Sequence, residues 1–389
     1  MKILFASNAG LWPLCDGGAE VAIHELLTIL SKKYKCECHA IGSIKNNHIK
    51  IILQIVKILN YSNKSYNLFT KFYLPSFFKN FFLFFPISII RRRLFYGISF
   101  SEKYSIFYVN ENRLLTEIES QINRIKPDII FTQTIKSEEI CKLANKFQIP
   151  AIVFLVDCTN FTINIIYSLK NYKNINFVYN SEFLKNKLNH LIEGGRNTIV
   201  LHPIIIKKNY LVKKENNNFV TYINPIKEKG VYIFREIVSS MPQVDFLLVQ
   251  GWPIVNFNQI KNNFQQFKNV SFMEKQTDMK KIYSRTKILL VPSTCEEAFG
   301  RIVVEAGLNG IPTIASKVGN LKQTIGKGGI LIKEYYKIKI WTKSIKFLLE
   351  NEKKYSYYSK MAVVNSLKFT DLSECKKILT FSKRLIIRH

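Results

Sequence analysis

Short apolar runs that end at small polar residues recur along the chain, and segments with helical periodicity lie between them. Residues 2–7, KILFAS, have the continuous apolar character of a buried parallel strand, and apolar residues in 19–30 recur at three-to-four spacing. The same pattern predicts strands 128–132, 151–156 and 176–179 and helices 137–147 and 182–191. Alternation of this kind predicts an α/β domain with a parallel sheet.

A second series of strands and helices follows a Lys- and Asn-rich stretch, 207–218, which is typical of a linker. The pattern predicts strands 219–223, 245–250, 270–273, 288–291 and 312–315 and helices 230–240, 279–284 and 302–308. From residue 335 onward the pattern is helical throughout. We therefore expect two Rossmann-like, doubly wound domains, 1–206 and 219–365, that face each other across a cleft. For the last helix, 366–389, a return to the first domain is an open alternative.

Composition and length place the protein among ordinary soluble proteins. The chain has 389 residues, of which 47% are hydrophobic and 22% charged. The longest stretch without a charge, 246–260, is shorter than the about 18 apolar residues that a membrane-spanning helix needs. Polar residues follow the opening strand at once, so the apolar core of a secretory signal is absent. We expect a cytoplasmic protein.

Cysteine, histidine and aspartate residues give no sign of a metal site. The seven cysteines are scattered and lack paired CxxC spacing, so we interpret them as reduced thiols. No Asp-x-Asp pair exists to hold a divalent cation against a diphosphate, and no histidines have ligand spacing. We expect neither a metal nor another cofactor.

The strongest chemical signal lies in residues 292–316, PSTCEEAFGRIVVEAGLNGIPTIAS. Glu297 follows a strand, and Glu305 comes eight positions later, with Phe299 and Gly300 between them. Gly300 allows a tight turn into a helix, whose first amides can face an anionic diphosphate. Two carboxylates at the end of one strand are costly to desolvate unless they bind something. Two solvated glutamates that flank a helix are the alternative.

This stretch resembles the E-x7-E motif of the retaining glycosyltransferases of family 4, which have the GT-B fold. The resemblance implies that Glu297 contacts the donor sugar and that Glu305 contacts the ribose of the nucleotide. It also implies transfer with retained anomeric configuration by front-face attack, without an enzymic nucleophile. Apart from about residues 41–124, the resemblance covers nearly the whole chain.

A second match lies close to the amino terminus. DGGAE, residues 16–20, resembles the glycine-rich loop that follows the first strand in the family, where the amides of Gly17 and Gly18 approach the diphosphate or the acceptor. A glycine pair after a strand is by itself an ordinary turn signal. Its interpretation as a binding loop depends on the E-x7-E motif.

A third match opens the second domain. INPIKEKG, residues 223–230, resembles the family segment that offers cations to the diphosphate, and Lys229 corresponds to the family's lysine. Many members have an arginine where this chain has Asn224, so Lys227 is a candidate helper. Lysines and helix dipoles would then stabilise the leaving diphosphate.

Two other segments depart from the family pattern. GNLKQTIGKGG, residues 319–329, resembles the loop near the sugar, but Gln323 replaces a glutamate that is usual there. After strand 151–156, where many members present a histidine, this chain has Asp157, Cys158 and Asn160. Asp157 is a candidate catalytic residue that accepts a sugar hydroxyl, and a helix or loop cap is the alternative.

Basic residues give the chain a formal net charge of +29 at pH 7. The excess is spread along the chain, and the abundance of Lys, Asn, Ile, Phe and Tyr indicates A/T-rich codons, so we expect no nucleic-acid partner. Residues 38–101, however, contain no Asp or Glu. Within them, residues 72–93, FYLPSFFKNFFLFFPISIIRRR, are suited to an anionic membrane surface on the inner leaflet. A packed insertion on the first domain is the alternative.

The residues and the resemblance together predict a retaining glycosyltransferase. We expect it to move a sugar from a nucleotide-diphosphate donor to a hydroxyl of an acceptor, a lipid-linked glycan in envelope or exopolysaccharide assembly. A nucleotide-sugar epimerase of the same architecture is one alternative, and a non-catalytic basic binding protein is another.

Overall fold

The structure is a computed structural model. It describes residues 1–8, 11, 15, 17–44, 104–192, 197–213, 218–251 and 256–387 and the backbone of 66–70 and 95–101. The chain forms two compact units. The first comprises Met1–Tyr179, Asn189–Ile199 and Cys375–His389, and the second comprises Asn180–Leu188 and Val200–Glu374. The domain boundaries 1–206 and 219–365 stay sequence-based predictions.

A nine-stranded sheet forms the centre of the first unit. Its strands are β1 (Lys2–Ser7), β2 (Glu37–Ile44), β3 (Tyr66–Thr70), β4 (Phe95–Ser101), β5 (Ser105–Asn110), β6 (Ile129–Gln133), β7 (Ala151–Leu155), β8 (Ile175–Tyr179) and β9 (Thr198–Val200). They lie in the order β3-β4-β5-β2-β1-β6-β7-β8-β9. Strands β5, β2, β1, β6, β7 and β8 run parallel, whereas β4 is antiparallel to both β3 and β5.

Four helices of the first unit follow the strands in the expected βα order. They are α1 (Gly18–Tyr34), α2 (Leu114–Ile125), α3 (Ser137–Lys146) and α4 (Asn160–Leu169). The central strand β1 is nearly inaccessible from Ile3 to Ala6, since helices and loops cover both faces of the sheet. A continuous apolar strand of this kind is typical of a buried parallel sheet.

A six-stranded parallel sheet forms the centre of the second unit. Its strands are β10 (Phe219–Ile223), β11 (Phe246–Val249), β12 (Val270–Met273), β13 (Thr286–Val291), β14 (Thr313–Ser316) and β15 (Gly329–Ile332), in the order β12-β11-β10-β13-β14-β15. Neighbouring residues of one strand enter different cores: Leu289 packs in one cluster and Leu290 in another. Both faces of the sheet are therefore buried, as in a doubly wound fold.

Eight helices of the second unit lie in the part of the chain that the structure describes. They are α5 (Glu182–Leu188), α6 (Val231–Ser239), α7 (Phe257–Phe264), α8 (Lys280–Tyr283), α9 (Arg301–Gly307), α10 (Leu321–Ile325), α11 (Ile338–Glu350) and α12 (Glu352–Leu367). The last helix, α13 (Ser373–Ile387), follows them, and from Cys375 onward it belongs to the first unit.

The structure confirms the alternation of strands and helices that the sequence predicts, with shifts of one or two residues at most ends. Strands β10 and β12 have the predicted bounds. The predicted helix 182–191 is divided into α5 and a 3-10 turn, Asn189–Leu191. The seven cysteines form no disulfide among the described residues. Among the described residues, no helix combines the length and apolar character that crossing a bilayer requires.

Candidate active site

Glu297 lies in the loop that follows β13, and its carboxylate is held by two donors. Lys229 Nζ donates to Glu297 Oε1 at 2.6 Å, and Ser293 Oγ donates to the same oxygen at 2.5 Å. The side chain of Glu297 is 14% exposed and that of Lys229 is 29% exposed. The carboxylate is therefore fixed in place, and solvent still reaches it.

Sheet topology explains why Lys229 reaches Glu297. Strands β10 and β13 are parallel neighbours, so the loops that follow them leave the same edge of the sheet. The two loops are in contact, since the Thr294 amide donates to the Glu228 carbonyl at 2.9 Å. Gly230 has a φ of +81°, and a Cβ there would lie 1.9 Å from the Pro292 carbonyl oxygen, so only glycine permits this approach.

The loop after β14 fixes the backbone of Glu297 from the other side. The backbone N–H of Asn320 donates to the Glu297 carbonyl at 2.7 Å. Asn320 is 3% exposed, and its side-chain Nδ2 has no hydrogen-bond partner among the described residues. Three loops from three adjacent strands, β10, β13 and β14, therefore meet at Glu297.

Glu305 lies on α9 and is buried, with a side chain that is 5% exposed. Arg301 Nε donates to its Oε1 at 2.6 Å, and the Tyr283 hydroxyl donates to its Oε2 at 2.7 Å. Burial and the charge of Glu305 raise the pKa of Tyr283 well above its ordinary value, so this hydroxyl stays a donor. Protein donors therefore already bind both carboxylate oxygens of Glu305. The sequence predicts that Glu305 contacts the ribose of the nucleotide, but it does not predict these two bonds.

Arg301 connects Glu305 to the segment that precedes β10. Its Nη2 donates to the Tyr210 hydroxyl at 2.6 Å, and Asn309 Nδ2 donates to the Tyr210 carbonyl at 3.0 Å. Tyr210 is 6% exposed. Part of the predicted linker 207–218 is therefore packed against α9, within the second unit.

Phe299 and Gly300 shape the turn between Glu297 and α9. Phe299 is 5% exposed, and its ring centroid lies 5.2 Å from that of Phe369. Gly300 has a φ of +84°, and a Cβ there would lie 2.7 Å from Leu321 Cδ2. Both residues therefore position the motif, Phe299 by packing and Gly300 by its left-handed backbone.

Asn224 and Lys227 contribute in different ways to the loop after β10. Asn224 has a left-handed φ of 69°, and its backbone N–H donates to the Val249 carbonyl at 2.9 Å. Asn224 therefore forms the turn at the end of β10. Lys227 begins the 3-10 turn Lys227–Lys229 and is exposed. Lys229, and not Lys227, contacts Glu297.

The remaining predicted site residues lie in the first unit. Asp157 Oδ1 accepts hydrogen bonds from the Thr159 amide, the Thr159 hydroxyl and the Thr162 hydroxyl at 3.0, 2.7 and 2.6 Å. It therefore fixes the turn that leads into α4, whose N-cap residue is Thr159, and the catalytic role of Asp157 stays a prediction. Gly17 is the N-cap residue of α1, and Gly18 is the first residue of that helix.

Sequence reasoning missed Ser293, Asn320, Tyr283 and Tyr210. Asn320, Tyr283 and Tyr210 have no local signal, because each reaches the motif from another strand or loop. Ser293 lies in the same loop as Glu297, four positions before it, but a serine in a loop is not a distinctive signal. The contact of Arg301 with Glu305 does have a local sequence signal, since i,i+4 spacing places the two side chains on one face of a helix. Among the described residues, no cluster of three or more His, Cys, Asp or Glu side chains has the arrangement of a metal site.

Solved structures with a similar fold span nearly the whole chain. Sucrose-phosphate synthase from Thermosynechococcus elongatus matches with a TM-score of 0.75 and 14% identity over 100% of both chains. HepE from Anabaena, in complex with UDP and glucose, matches with a TM-score of 0.70 and 16% identity over 99% of both chains. A glycosyltransferase from Rickettsia africae ESF-5 matches with a TM-score of 0.67 and 17% identity over 99% of this chain and 98% of that one. The chain therefore has the GT-B fold, as the sequence predicts.

The sequence also matches a protein-family model. Residues 206–363 match the family described as glycosyl transferases group 1. The match spans all six strands of the second sheet and includes Lys229, Glu297 and Glu305. A comparison with curated protein sequences finds no match.

Proposed function

We propose that the protein is a retaining glycosyltransferase of the family 4 type, which moves a hexose from a nucleotide-diphosphate sugar to an acceptor hydroxyl. The observation that carries the proposal is the Glu297 carboxylate, held by Lys229 and Ser293 where three loops meet at the carboxyl edge of the second sheet. Ligands of open α/β sheets bind at this edge. The group 1 glycosyltransferase match covers the same segment.

In this proposal, Glu297 orients the donor sugar by accepting hydrogen bonds from its hydroxyls. The ammonium of Lys229 has three N–H donors, of which one meets Glu297 Oε1, so the others are available to oxygens of the diphosphate. The bond between the anomeric carbon and the diphosphate breaks, and the acceptor oxygen bonds to that carbon from the same face. The acceptor proton passes to the departing phosphate oxygen.

Glu305 retains a role at the nucleotide in this proposal. A carboxylate has about four lone-pair sites, and in this proposal one of those on Glu305 accepts a ribose hydroxyl beside the bonds from Arg301 and Tyr283. Since those contacts also fix the side chain, Glu305 is already oriented before the nucleotide binds.

UDP-glucose is the first donor to test, because structures of HepE from Anabaena contain UDP-glucose and UDP. Donor at about 100 times its dissociation constant should stabilise the protein by about 2.7 kcal/mol, which a melting-temperature shift detects. A panel of UDP-glucose, UDP-N-acetylglucosamine, ADP-glucose and GDP-mannose covers several bases and sugars. No shift with any member would favour a non-catalytic binding protein, and release of a free epimer without acceptor would favour an epimerase.

The proposed transfer is independent of divalent metal, because the sequence has no Asp-x-Asp pair to hold a cation against the diphosphate. Turnover should survive an excess of chelator. Loss of turnover that magnesium or manganese restores would contradict this part of the proposal.

The acceptor is a glycan, which we propose to be lipid-linked and reached at a membrane surface. This part depends on residues 72–93, which lie outside the described residues, so it rests on the sequence. Vesicles with anionic lipid should bind the protein more tightly than neutral vesicles, and salt should weaken the binding over a screening length of about 8 to 10 Å. Replacing Arg91, Arg92 and Arg93 with Gln should weaken it by up to about 3 kcal/mol. Equal binding to neutral and anionic vesicles would contradict the membrane role.

A further inference from the structure

Helix α12 packs on the second unit through small side chains at close range. A Cβ on Gly307 would lie 2.1 Å from Ser366 Oγ, and a Cβ on Gly328 would lie 2.4 Å from Ala362 Cα. Ala362 is 5% exposed and Ser366 is 1% exposed. The inward face of α12 is therefore already filled, since protein interiors are packed without spare volume.

The opposite face of α12 carries large apolar side chains in solvent. Tyr357 is 47% exposed, Val364 is 54% exposed and Leu367 is 38% exposed. At about 100° per residue, these three positions lie within about 80° of one another around the helix. A single exposed apolar side chain is ordinary, whereas a group of them on one surface indicates a contact with a partner.

Lysines border these apolar residues. The same face carries four exposed lysines, Lys353, Lys354, Lys360 and Lys368. The seven residues span about 140° of the circumference of the helix, and we call them the outer face of α12. Glu352, the acidic residue of this helix, lies on the other side, about 140° from Tyr357. The outer face is therefore both apolar and cationic.

The lysines of the outer face keep their charge available. None of them is paired with a carboxylate in the part of the chain that the structure describes. Lys368 Nζ donates to Asn365 Oδ1, an uncharged amide oxygen, at 3.2 Å. Long lysine side chains lie along apolar surfaces while their ammonium groups reach charged partners. The outer face can therefore bury its apolar residues and still bind anions.

The charge of the outer face determines which partner fits it. The chain has a formal net charge of +29, so a second copy of the protein would be repelled. A nucleic acid offers phosphates to the lysines, but it offers no apolar layer to Val364 and Leu367. An anionic bilayer offers both, because its phosphates lie directly above the acyl chains.

We propose that the outer face of α12 docks on an anionic lipid bilayer. Tyr357, Val364 and Leu367 enter the boundary between headgroups and acyl chains, and the four lysines bind lipid phosphates. The proposal goes beyond the proposed transfer and is independent of residues 72–93, since it depends only on described residues of the second unit.

Binding of the full chain to vesicles of phosphatidylglycerol and phosphatidylcholine tests the proposal. Replacing Lys353 and Lys360 together with Gln should weaken binding by about tenfold or more, because each lysine near the surface adds electrostatic attraction. Replacing Val364 and Leu367 together with Gln should weaken it by about tenfold at low and high salt alike, because salt does not screen apolar burial. All four positions are on the surface of a helix, and glutamine is a good helix former, so both variants should fold.

Replacing Lys32 and Lys33 with Gln is the matched control. These lysines are exposed in the last turn of α1, in the first unit, and their loss removes the same two charges. Vesicle binding should change less than about threefold in this control. Equal weakening in the control, or unchanged binding in both α12 variants, would overturn the proposal. Sedimentation without lipid is the second measurement: a dimer that only the Val364 and Leu367 variant dissolves would overturn it, since a second copy would then cover the face.

A tryptophan placed on α12 reports the contact itself. The emission of Tyr357→Trp should shift to shorter wavelength when anionic vesicles are added, because the indole leaves water. Tyr232→Trp is the control, since Tyr232 is 66% exposed and lies on α6, and its emission should not shift. An unshifted emission in Tyr357→Trp would contradict docking through the outer face.

Transfer from UDP-glucose to a short soluble acceptor separates this proposal from the proposed function. The expected result is unchanged transfer in both α12 variants, because the outer face does not include Lys229, Glu297 or Glu305. Vesicle binding by a wild type that transfers no sugar would overturn only the proposed function. Transfer by a wild type whose vesicle binding ignores the α12 substitutions would overturn only the docking surface.

Discussion

The charge pair between Lys229 and Glu297 is the contact on which the proposed chemistry depends. A charge-assisted hydrogen bond is about twice as strong as a neutral one, and part of that strength is lost here because the lysine is 29% exposed. The pair thus positions Glu297 more than it stabilises the fold. Its loss should be visible in turnover before it is visible in stability.

Lys229→Met should lower kcat/KM for the donor by about 10- to 100-fold, which corresponds to about 1.4 to 2.7 kcal/mol of transition-state stabilisation. Lys227→Met is the matched control, since Lys227 is exposed in the same 3-10 turn and does not contact Glu297. Its effect should stay below about threefold. Steady-state kinetics measure kcat/KM for the donor in both variants. An equal decrease in the two variants would contradict the assignment of Lys229 to the site.

Arg301 and Glu305 form a buried pair, with side chains that are 8% and 5% exposed. Arg301→Met should therefore destabilise the second unit by about 3 to 5 kcal/mol, because it leaves a buried carboxylate without its cation. Arg235→Met is the control. The Arg235 side chain is 42% exposed, and its Nη1 lies 4.0 Å from Glu236 Oε1, so the variant should lose about 0.5 kcal/mol or less of unfolding free energy. Urea unfolding measures both, and a similar small loss for Arg301 would show that the buried network is not formed.

The sequence identified the site residues that belong to a motif. It could not identify the residues that hold them in place by hydrogen bonds. Glu297, Lys229 and Gly300 were predicted from the spacing and the family resemblance. Ser293 was not, although it lies in the same loop four residues before Glu297, because a loop serine carries no distinctive signal. Asn320 was not, because its contact with Glu297 arises only when β13 and β14 lie side by side. Residue type alone does not encode that proximity.

The loop after β14 supports the loop that carries Glu297, and Gly319 is the point of closest approach. Gly319 has a φ of +53°, and a Cβ there would lie 2.3 Å from the Glu297 carbonyl oxygen. Gly319→Ala should therefore displace Glu297 and lower turnover by about 10-fold or more, besides a strain of about 1 to 3 kcal/mol.

Gly310→Ala is the matched control for that variant. Gly310 also has a positive φ, of +63°, but a Cβ there would meet the hydroxyl of Ser359, away from Glu297. Melting temperatures should fall in both variants, and only Gly319→Ala should also lose turnover beyond its loss of folded protein. Equal specific activities in the two variants would show that the loop after β14 does not position Glu297.

Secondary structure followed the sequence pattern in most of the buried parallel strands, but not in all of them. Strand β10 was predicted with its observed bounds, whereas β2, with the sequence ECHAIGSI, lacks an uninterrupted apolar run and was not predicted. Residues 207–218 resembled a linker because they are rich in Lys and Asn. Tyr210 is nevertheless buried, since it accepts hydrogen bonds from Arg301 on α9 and from Asn309, which follows the end of that helix.

Buried thiols and phenols give the protein an alkaline limit of stability. Burial raises the pKa of the Cys38 thiol from 9.0 to about 12, and burial together with Glu305 raises the pKa of Tyr283 well above 10.0. The unfolded chain releases these protons at lower pH than the native protein does. The free energy of unfolding should therefore fall above about pH 9 for the thiol and above about pH 10 for the phenol, by about 1.4 kcal/mol per pH unit for each group.

Circular-dichroism melting between pH 8 and pH 10.5, under reducing conditions, checks this dependence. The melting temperature should decline across that range, and the decline should be shallower in Cys38→Ala, which lacks one of the titrating groups. A level profile, or an unchanged slope in the variant, would contradict the burial of these groups.

Turnover of an isotopically labelled donor, followed by NMR at the anomeric carbon, tests the proposed function of the whole protein most directly. The experiment compares the wild type with Glu297→Gln, and with Glu296→Gln as control, because Glu296 is the adjacent carboxylate and pairs with Lys187 on α5. We predict that the wild type and the Glu296 variant transfer the sugar with retained configuration, and that the Glu297 variant binds donor but loses turnover by about 10- to 100-fold. Undiminished turnover in Glu297→Gln, or an inverted product from the wild type, would contradict the account.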